Sequence, residues 1–189
     1  MADLDTVFFE GREAFEMWLD SHGEASSGVW IRMAKKESDI PSLDWKGAVE
    51  VALCFGWIDG QSKRIDDTWF AQRFTPRRSR SIWSKINRRK VEALTAAGRM
   101  RPAGLAEVTR AKADGRWDAA YDGMATASVP EDLDRALDDA GLRNAFAALD
   151  SRNRYAILHS VQTARRPETR ARRIAKSVGM LATGNKPYP

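Results

Sequence analysis

The chain has 189 residues, of which 43% are hydrophobic and 30% are charged, with a formal net charge of +5. This composition excludes wholesale disorder, and the length predicts one domain or one domain with a small appendage. No apolar run approaches the roughly 18–20 residues that span a bilayer, and the acidic amino terminus lacks a secretory signal, so we expect a cytoplasmic protein. One cysteine and two histidines exclude a disulfide framework, and we expect no metal and no cofactor.

The first part of the chain predicts a small sheet covered by helices. Apolar residues recur at helical spacing over 12–22 and 43–55, and they alternate with other residues over 29–34. Two further strands, 57–65 and 68–74, are separated by a short acidic turn and form a hairpin.

The second part of the chain predicts helices only, over 84–97, 102–114, 131–139, 142–149, 151–163 and 167–183. We therefore predict an α+β fold. It consists of a small antiparallel sheet of about three strands, including the hairpin, packed with helices and followed by a mainly helical C-terminal segment. The predicted boundaries are 1–121 for the α+β core, 122–130 for a linker of small residues, 131–183 for the helical segment and 184–189 for a loose tail.

The charges are segregated along the chain. Residues 1–60 have a net charge of −7 and residues 117–150 of −6, whereas residues 61–116 carry +10 and residues 151–189 carry +8. Two alternatives stay open: the basic blocks pair with the chain's own acidic blocks, or they bind an anionic partner such as nucleic acid. The seven tryptophans fit both alternatives: aromatic rings beside arginine stack bases, but each tryptophan also fits an apolar face of a predicted element, which favours core packing.

The run from Cys54 to Gly60 is the first candidate site. A predicted helix ends there and a strand begins, and its two glycines let a ligand approach the backbone closely. Asp59 and Glu50 are candidate acids or bases, and Cys54 is a candidate nucleophile if its thiolate is stabilised. In the structural alternative, Cys54 is a small core residue and Asp59 forms a turn or pairs with an arginine.

The segment 73–85 is the second candidate site, because it is rich in arginine and serine. Guanidinium groups and hydroxyls suit phosphate or carboxylate, and the start of the next helix adds free backbone N–H groups. With the preceding turn, this segment predicts a pocket for a small anion. In the alternative, Arg73 and Arg77 pair with two carboxylates of the core, those of Glu50 and Asp59. The predicted ligand-binding residues are Trp57, Asp59, Gly60, Arg73, Thr75, Arg77, Arg78, Ser81, Trp83 and Ser84.

The last predicted helix, 167–183, has one apolar face and one basic face. This pattern predicts a helix docked on a core with its basic face in solvent. The alternative is contact with nucleic acid, an anionic membrane surface or an acidic protein partner. The apolar positions are Ile174, Val178 and Leu181, and the basic positions are Arg172, Arg173 and Lys176.

Several motifs occur together in this order: Glu50 with Leu53–Gly60, Arg73–Arg78 followed by Ser81–Ser84 and Asn87, Gly98–Leu105, Arg154–Leu158, and Ala164–Arg170. Over about Gly11 to Leu181 they resemble the YdeI/OmpD-associated family, whose members are also called bacteriocin-protection proteins. The resemblance implies a role in envelope stress or in protection against bacteriocins and cationic antimicrobial peptides. It also implies an envelope-protein partner for the C-terminal helices, and it brings no catalytic residue.

These observations predict a binding protein rather than an enzyme, with the anion pocket as its site. Two alternatives stay open. One is a nucleic-acid-binding protein that uses the basic blocks 61–116 and 151–189. The other is a small-molecule enzyme that uses Cys54 or Asp59.

Overall fold

The computed structural model describes residues 4–189, and its strands form one mixed sheet in the order β1-β2-β4-β3. β1 runs parallel to β2, whereas β4 is antiparallel to both β2 and β3. Within the described residues, no helix is both long enough and apolar enough to cross a membrane. The strands are β1 (Thr6–Phe8), β2 (Val29–Ala34), β3 (Trp57–Arg64) and β4 (Trp69–Pro76), and the α-helices are α1 (Arg12–His22), α2 (Trp45–Cys54), α3 (Lys85–Ala96), α4 (Pro102–Ala113), α5 (Glu131–Asp139), α6 (Arg143–Ala147), α7 (Ser151–Gln162) and α8 (Pro167–Ala182).

The α+β class is confirmed, but the sheet has one strand more than predicted and is mixed rather than antiparallel. The additional strand, β1, pairs with β2 over three positions, from Thr6 opposite Trp30 to Phe8 opposite Arg32. A strand of three residues is too short to show an alternating pattern, so periodicity does not reveal it. The other predicted strands and helices are present, with ends shifted by at most two residues.

One face of the sheet is apolar and packs against helices. Val29, Ile31 and Met33 of β2 are at most 1% exposed, and Phe74 of β4 packs against Phe15 of α1 with ring centroids 5.7 Å apart. α2 covers the same face and begins where Asp44 accepts a hydrogen bond from the Gly47 N–H at 2.7 Å. Because side chains alternate along a strand, the intervening residues of β2 lie on the opposite face of the sheet.

The described residues form two compact units. The first comprises the residues up to Ser81 together with Asn87–Asp118, and it contains the sheet. The second comprises Ile82–Ile86 together with Ala119–Pro189, so its sequence is discontinuous. The residues predicted as a linker, 122–130, lie within this second unit.

The short segment 82–86 is paired with the rest of the second unit through its backbone. Ser84 forms a parallel bridge with Tyr121, and the Lys85 N–H donates to the Tyr121 carbonyl at 2.8 Å. The Lys85 ammonium also lies 2.8 Å from a carboxylate oxygen of Asp122. These contacts fix the segment to the beginning of the Ala119–Pro189 stretch.

The second unit has its own apolar core, to which α5, α6, α7 and α8 all contribute. The last helix docks through its apolar face: Ile174 is 9% exposed and Leu181 is 6% exposed. On its other side Arg173 donates to the Ser160 carbonyl at 2.6 Å. The core residues are Leu133, Leu137, Phe146, Ile157, Leu158, Val161, Ile174 and Leu181.

Acidic and basic blocks pair with each other inside each unit. In the first unit, the Arg101 guanidinium lies 2.8 Å from a Glu16 carboxylate oxygen. In the second, Arg170 donates two hydrogen bonds to Asp132, at 2.5 and 2.8 Å. The Arg170 hydrogen bonds outweigh partial burial and hold the pKa of Asp132 below its usual value. Part of the segregated charge is therefore used internally.

Candidate functional site

A cavity of about 420 Å³ lies in the first unit beside the turn at Gly56, where α2 ends and β3 begins. We call it the turn cavity. Its walls come from the C-terminal end of α1, the turn itself, the end of β4 and the first turns of α4. The lining residues are Leu19, Asp20, Gly23, Glu24, Phe55, Gly56, Trp57, Pro76, Arg77, Arg101, Pro102, Ala103 and Glu107.

Two glycines bring α4 against the turn. Gly56 has a φ of +75°, and a Cβ there would lie 2.9 Å from Glu107 Cγ and 3.0 Å from the Ala103 carbonyl oxygen. A Cβ on Gly104 would collide with the Cys54 carbonyl oxygen at the end of α2. Both positions therefore require glycine, since any side chain would push α4 away from the turn.

Arg77 is the buried cation of the turn cavity. It follows β4 directly, and its backbone N–H donates to the Gly56 carbonyl at 2.9 Å, so the two predicted segments are joined at this point. The residue is only 5% exposed. Its guanidinium is a planar fork of N–H donors in the cavity wall, and this geometry matches a carboxylate or a phosphate.

Glu107 brings a carboxylate to the same cavity from α4. The residue is 9% exposed, and its Oε1 pairs with the Arg110 guanidinium. Its Oε2 is buried and has no hydrogen-bond partner among the residues that the structure describes. A buried carboxylate oxygen without a donor costs free energy, so this atom favours a ligand that brings an N–H or O–H group.

The charges at the mouth of the cavity are partly neutralised. The Arg101 guanidinium lies 2.8 Å from Glu16, 3.7 Å from Asp20 and 5.6 Å above the Phe55 ring centroid. Glu24 adds an exposed carboxylate. The cavity thus combines donors and acceptors between apolar walls, an arrangement suited to a small polar ligand with groups of both kinds.

The three predicted catalytic candidates lie outside the turn cavity in the described structure. Cys54 is 2% exposed, and burial raises the pKa of its thiol, so the reactive thiolate is disfavoured. Burial also raises the pKa of Glu50, but the hydrogen bond and charge of Lys90 and the charge of Arg12 outweigh it and hold this pKa below its usual value. Asp59 accepts a hydrogen bond from the Trp45 ring N–H at 3.2 Å.

These contacts also replace the predicted ion pairs. Glu50 lies 2.8 Å from Arg12 and 3.1 Å from Lys90, so its partners come from α1 and α3 instead of the arginine segment. Asp59 is held by a tryptophan ring. The sequence gives no local signal for either contact, because the partners are far apart along the chain.

The ten predicted ligand-binding residues fall into several places. Trp57 and Arg77 line the turn cavity together. Asp59, Gly60, Arg73 and Thr75 lie on β3 and β4; Arg78 and Ser81 form a turn in which the Arg78 N–H donates to the Ser81 hydroxyl at 2.9 Å; and Trp83 and Ser84 belong to the second unit.

Glu107 is the cavity residue that the sequence interpretation missed. It lies on the buried stripe of α4, where Glu107, Val108 and Ala111 follow Gly104 by three, four and seven residues. A carboxylate on such a stripe could have marked Glu107 as a candidate site residue, since charged residues are almost never fully buried unless they are paired. Asp20 and Glu24 carry no comparable signal, because both are exposed helix-end residues.

Comparisons with known proteins assign both parts of the chain to family models. Residues 7–107, more than half of the chain, match a domain of unknown function, DUF8412. Residues 126–184 match the family described as bacteriocin-protection, YdeI or OmpD-associated. The motifs at 50–60 and 73–87 fall in the first match, and those at 154–158 and 164–170 fall in the second.

Searches of curated proteins and of solved structures found no match to the chain. The resemblance predicted from the sequence is confirmed by the second family match, although that match covers a shorter stretch than predicted. The chain therefore belongs to the DUF8412 family, and its residues 126–184 match the bacteriocin-protection, YdeI or OmpD-associated family.

Proposed function

We propose that the chain is a binding protein that holds a small acidic ligand in the turn cavity. The observation that carries the proposal is the burial of Arg77, which is 5% exposed and lines the cavity beside Trp57 and Pro76. An arginine stays charged at physiological pH, and its fork of N–H donors matches a carboxylate or phosphate. The cavity volume also falls within the range of small-molecule sites, about 300–1,000 Å³.

Glu107 narrows the ligand class. Its buried Oε2 favours a ligand that brings a hydrogen-bond donor, whereas the guanidinium of Arg77 in the same cavity suits an acidic group. Small molecules that carry both groups satisfy both residues, for example amino acids, hydroxy acids and sugar phosphates. The apolar walls formed by Leu19, Phe55 and Trp57 favour a compact ligand with little exposed charge elsewhere.

The biological setting that we propose follows the C-terminal family match. Its description names bacteriocin protection and association with OmpD. We accordingly assign the binding activity to envelope stress, in a cytoplasmic protein whose C-terminal helices contact an envelope protein. This assignment depends on the family description, whereas the ligand class depends on the turn cavity.

A thermal-shift screen with matched probes tests the ligand class. L-Serine, L-lactate and glycerol 3-phosphate carry both groups, whereas acetate carries only the acid and ethanolamine only the donor. A ligand at a hundred times its dissociation constant adds about 2.7 kcal/mol of stability. For a chain of this length the unfolding midpoint rises by about 5–11 °C. We expect that rise with at least one bifunctional probe and smaller rises with acetate and ethanolamine.

Two variants and a control assign the shift to the cavity. Arg77→Lys keeps the charge but loses the fork, so we expect weaker binding of every acidic probe. Glu107→Gln keeps the size but loses the anionic acceptor, so we expect the preference for bifunctional probes over acetate to shrink. Arg80→Ala, at an exposed arginine outside the cavity, is expected to bind as the parent does. Equal responses of the Arg77 and Arg80 variants would contradict the proposal, as would the absence of any shift.

A further inference from the structure

The face of the sheet opposite the helices carries aromatic and basic side chains together. Strand register determines which residues share this face, because directly paired residues point to the same side. Phe8 is paired with Arg32, Arg32 with Ala71, and Ala71 with Lys63, so one row crosses all four strands. Trp30 opposite Arg73, and Trp69 opposite Ala34, form the adjacent rows. We call this surface, defined by Phe8, Trp30, Arg32, Lys63, Trp69 and Arg73, the outer face.

The aromatic rings of the outer face are in contact with its cations. The Arg32 guanidinium carbon lies 4.7 Å from the Trp69 ring centroid and 5.5 Å from that of Phe8. The Lys63 ammonium lies 4.3 Å from the Trp30 ring centroid. Arg32 and Lys63 are both exposed. Phe8, Trp30 and Trp69 are half-buried, and each has a cation over its ring.

The outer face contains no carboxylate from the strands. Asp59 is the only acidic residue in the four strands, and it is paired with Phe74, which is fully buried against the helices. Asp59 therefore lies on the helix-covered face, where it binds the Trp45 ring N–H. Three cations remain on the outer face without a strand carboxylate beside them, which favours an anionic partner.

Arg73 adds a second sign of an absent partner. It lies on the same face beside Trp30, and its Nε is buried without a hydrogen-bond partner among the described residues. Buried donors of this kind are uncommon in folded proteins. A phosphate oxygen bound at this position would satisfy the donor and add a charge-assisted hydrogen bond.

We propose that the outer face binds single-stranded nucleic acid. Bases stack on Trp30, Trp69 and Phe8, and the phosphates between them contact Arg32, Lys63 and Arg73. A sheet that presents two or three aromatic rings among basic side chains is a known way to hold unpaired bases. On binding, Arg32 and Lys63 move from the rings that they now cover to the adjacent phosphates, which their length allows.

Other anionic partners lack one half of this match. An acidic peptide satisfies the cations but offers no flat rings for the tryptophans. A duplex satisfies the cations but keeps its bases stacked inside. Unpaired RNA or DNA offers both phosphates and free base faces, and every base has a π-face, so binding is expected to depend little on sequence.

Fluorescence anisotropy with labelled twelve-nucleotide oligo(U) and oligo(dT) tests this inference on the full chain. With three phosphate contacts, the slope of log affinity against log salt is expected near −2, at about −0.7 per contact on single strands. Lys63→Ala is expected to reduce that slope by about 0.7. Trp69→Ala is expected to weaken binding by about 5-fold to 150-fold, the range measured for one stacked base. Trp69→Phe keeps a stacking ring and is expected to retain most of the affinity.

Three controls decide the outcome. Lys176→Ala removes an exposed cation of the basic C-terminal helix and is expected to leave oligonucleotide binding unchanged. Arg77→Lys, in the turn cavity, is expected to leave it unchanged as well, so this test is separate from that of the proposed ligand. Circular dichroism verifies that each variant is folded. If Trp69→Ala does not fold, the salt dependence of Lys63→Ala tests the inference instead. The inference is overturned if no oligonucleotide binds at 50 mM salt, or if the Lys63 and Lys176 variants lose affinity equally. It is also overturned if duplex DNA or polyglutamate displaces the labelled oligonucleotide as well as unlabelled single strands do.

Discussion

Gly56→Ala is the substitution for which the structure predicts the clearest loss of stability. Gly56 has a φ of +75°, a conformation that costs a residue with a Cβ about 1–2 kcal/mol. The new methyl group would also lie 2.9 Å from Glu107 Cγ, and overpacking of this kind typically costs about 1–3 kcal/mol. The expected total loss in the free energy of unfolding is therefore about 2–5 kcal/mol.

A second glycine separates the two contributions. Gly98 has a similar φ of +67°, but a Cβ there would meet nothing within 4 Å. Gly98→Ala is therefore expected to lose only the conformational part, about 1–2 kcal/mol. Thermal unfolding followed by circular dichroism measures both variants, and a difference of 1 kcal/mol corresponds to about 2–4 °C in a chain of this length. If Gly56→Ala unfolds no earlier than Gly98→Ala, the close approach of α4 to the turn is refuted.

Three further substitutions or measurements test contacts elsewhere in the first unit. Asp44→Ala removes the cap of α2 and is expected to lower stability by about 1 kcal/mol in urea unfolding. Asp118→Ala, at an exposed aspartate that caps no helix, is the control. Glu50→Gln is expected to lower stability by about 1–3 kcal/mol at pH 7. Because the Glu50 pKa is lowered on folding, its contribution is present above the unfolded value of about 4.5 and lost as pH falls through the lower folded pKa, so parent and variant should converge in acid. Equal differences at pH 7 and in acid would contradict that ion pair. Cys54 is expected to resist a thiol reagent in native protein at pH 8 and to react after unfolding, since burial raises its pKa; rapid native labelling would show that the thiol is accessible.

The sequence predicts the helices well because their ends are marked by local chemistry. Pro102 and Pro167 occupy first helical turns, and Asp44 caps α2, so each boundary is set by residues within one turn of it. β1 is different, because three residues become a strand only through pairing with β2. Nothing within residues 6–8 specifies that partner, and the parallel register depends on contacts made across the fold.

The turn cavity was predicted only in part for a similar reason. The glycines at 56 and 60 and the arginines after β4 mark a region of close approach, and Trp57 and Arg77 do line one cavity. Glu107 lies on α4, far along the chain from the turn, and only the tertiary fold brings it to Gly56. Local spacing could not predict the outer face either. The order of the strands in the sheet, and not their order in the chain, places Phe8 beside Arg32 and Lys63 at the other end of the same row.

The discontinuous second unit has a consequence for how the protein can be divided and assembled. A fragment that begins at Ala119 contains Tyr121 but lacks Ser84 and Lys85, so its pairing edge is left empty. During translation, in contrast, segment 82–86 is synthesised before residues 119–189, and it can pair with Tyr121 only after that residue has emerged from the ribosome. A protein expressed from the C-terminal stretch alone therefore lacks part of the second unit. A synthetic peptide covering Ile82–Ile86, added in trans, would supply that part.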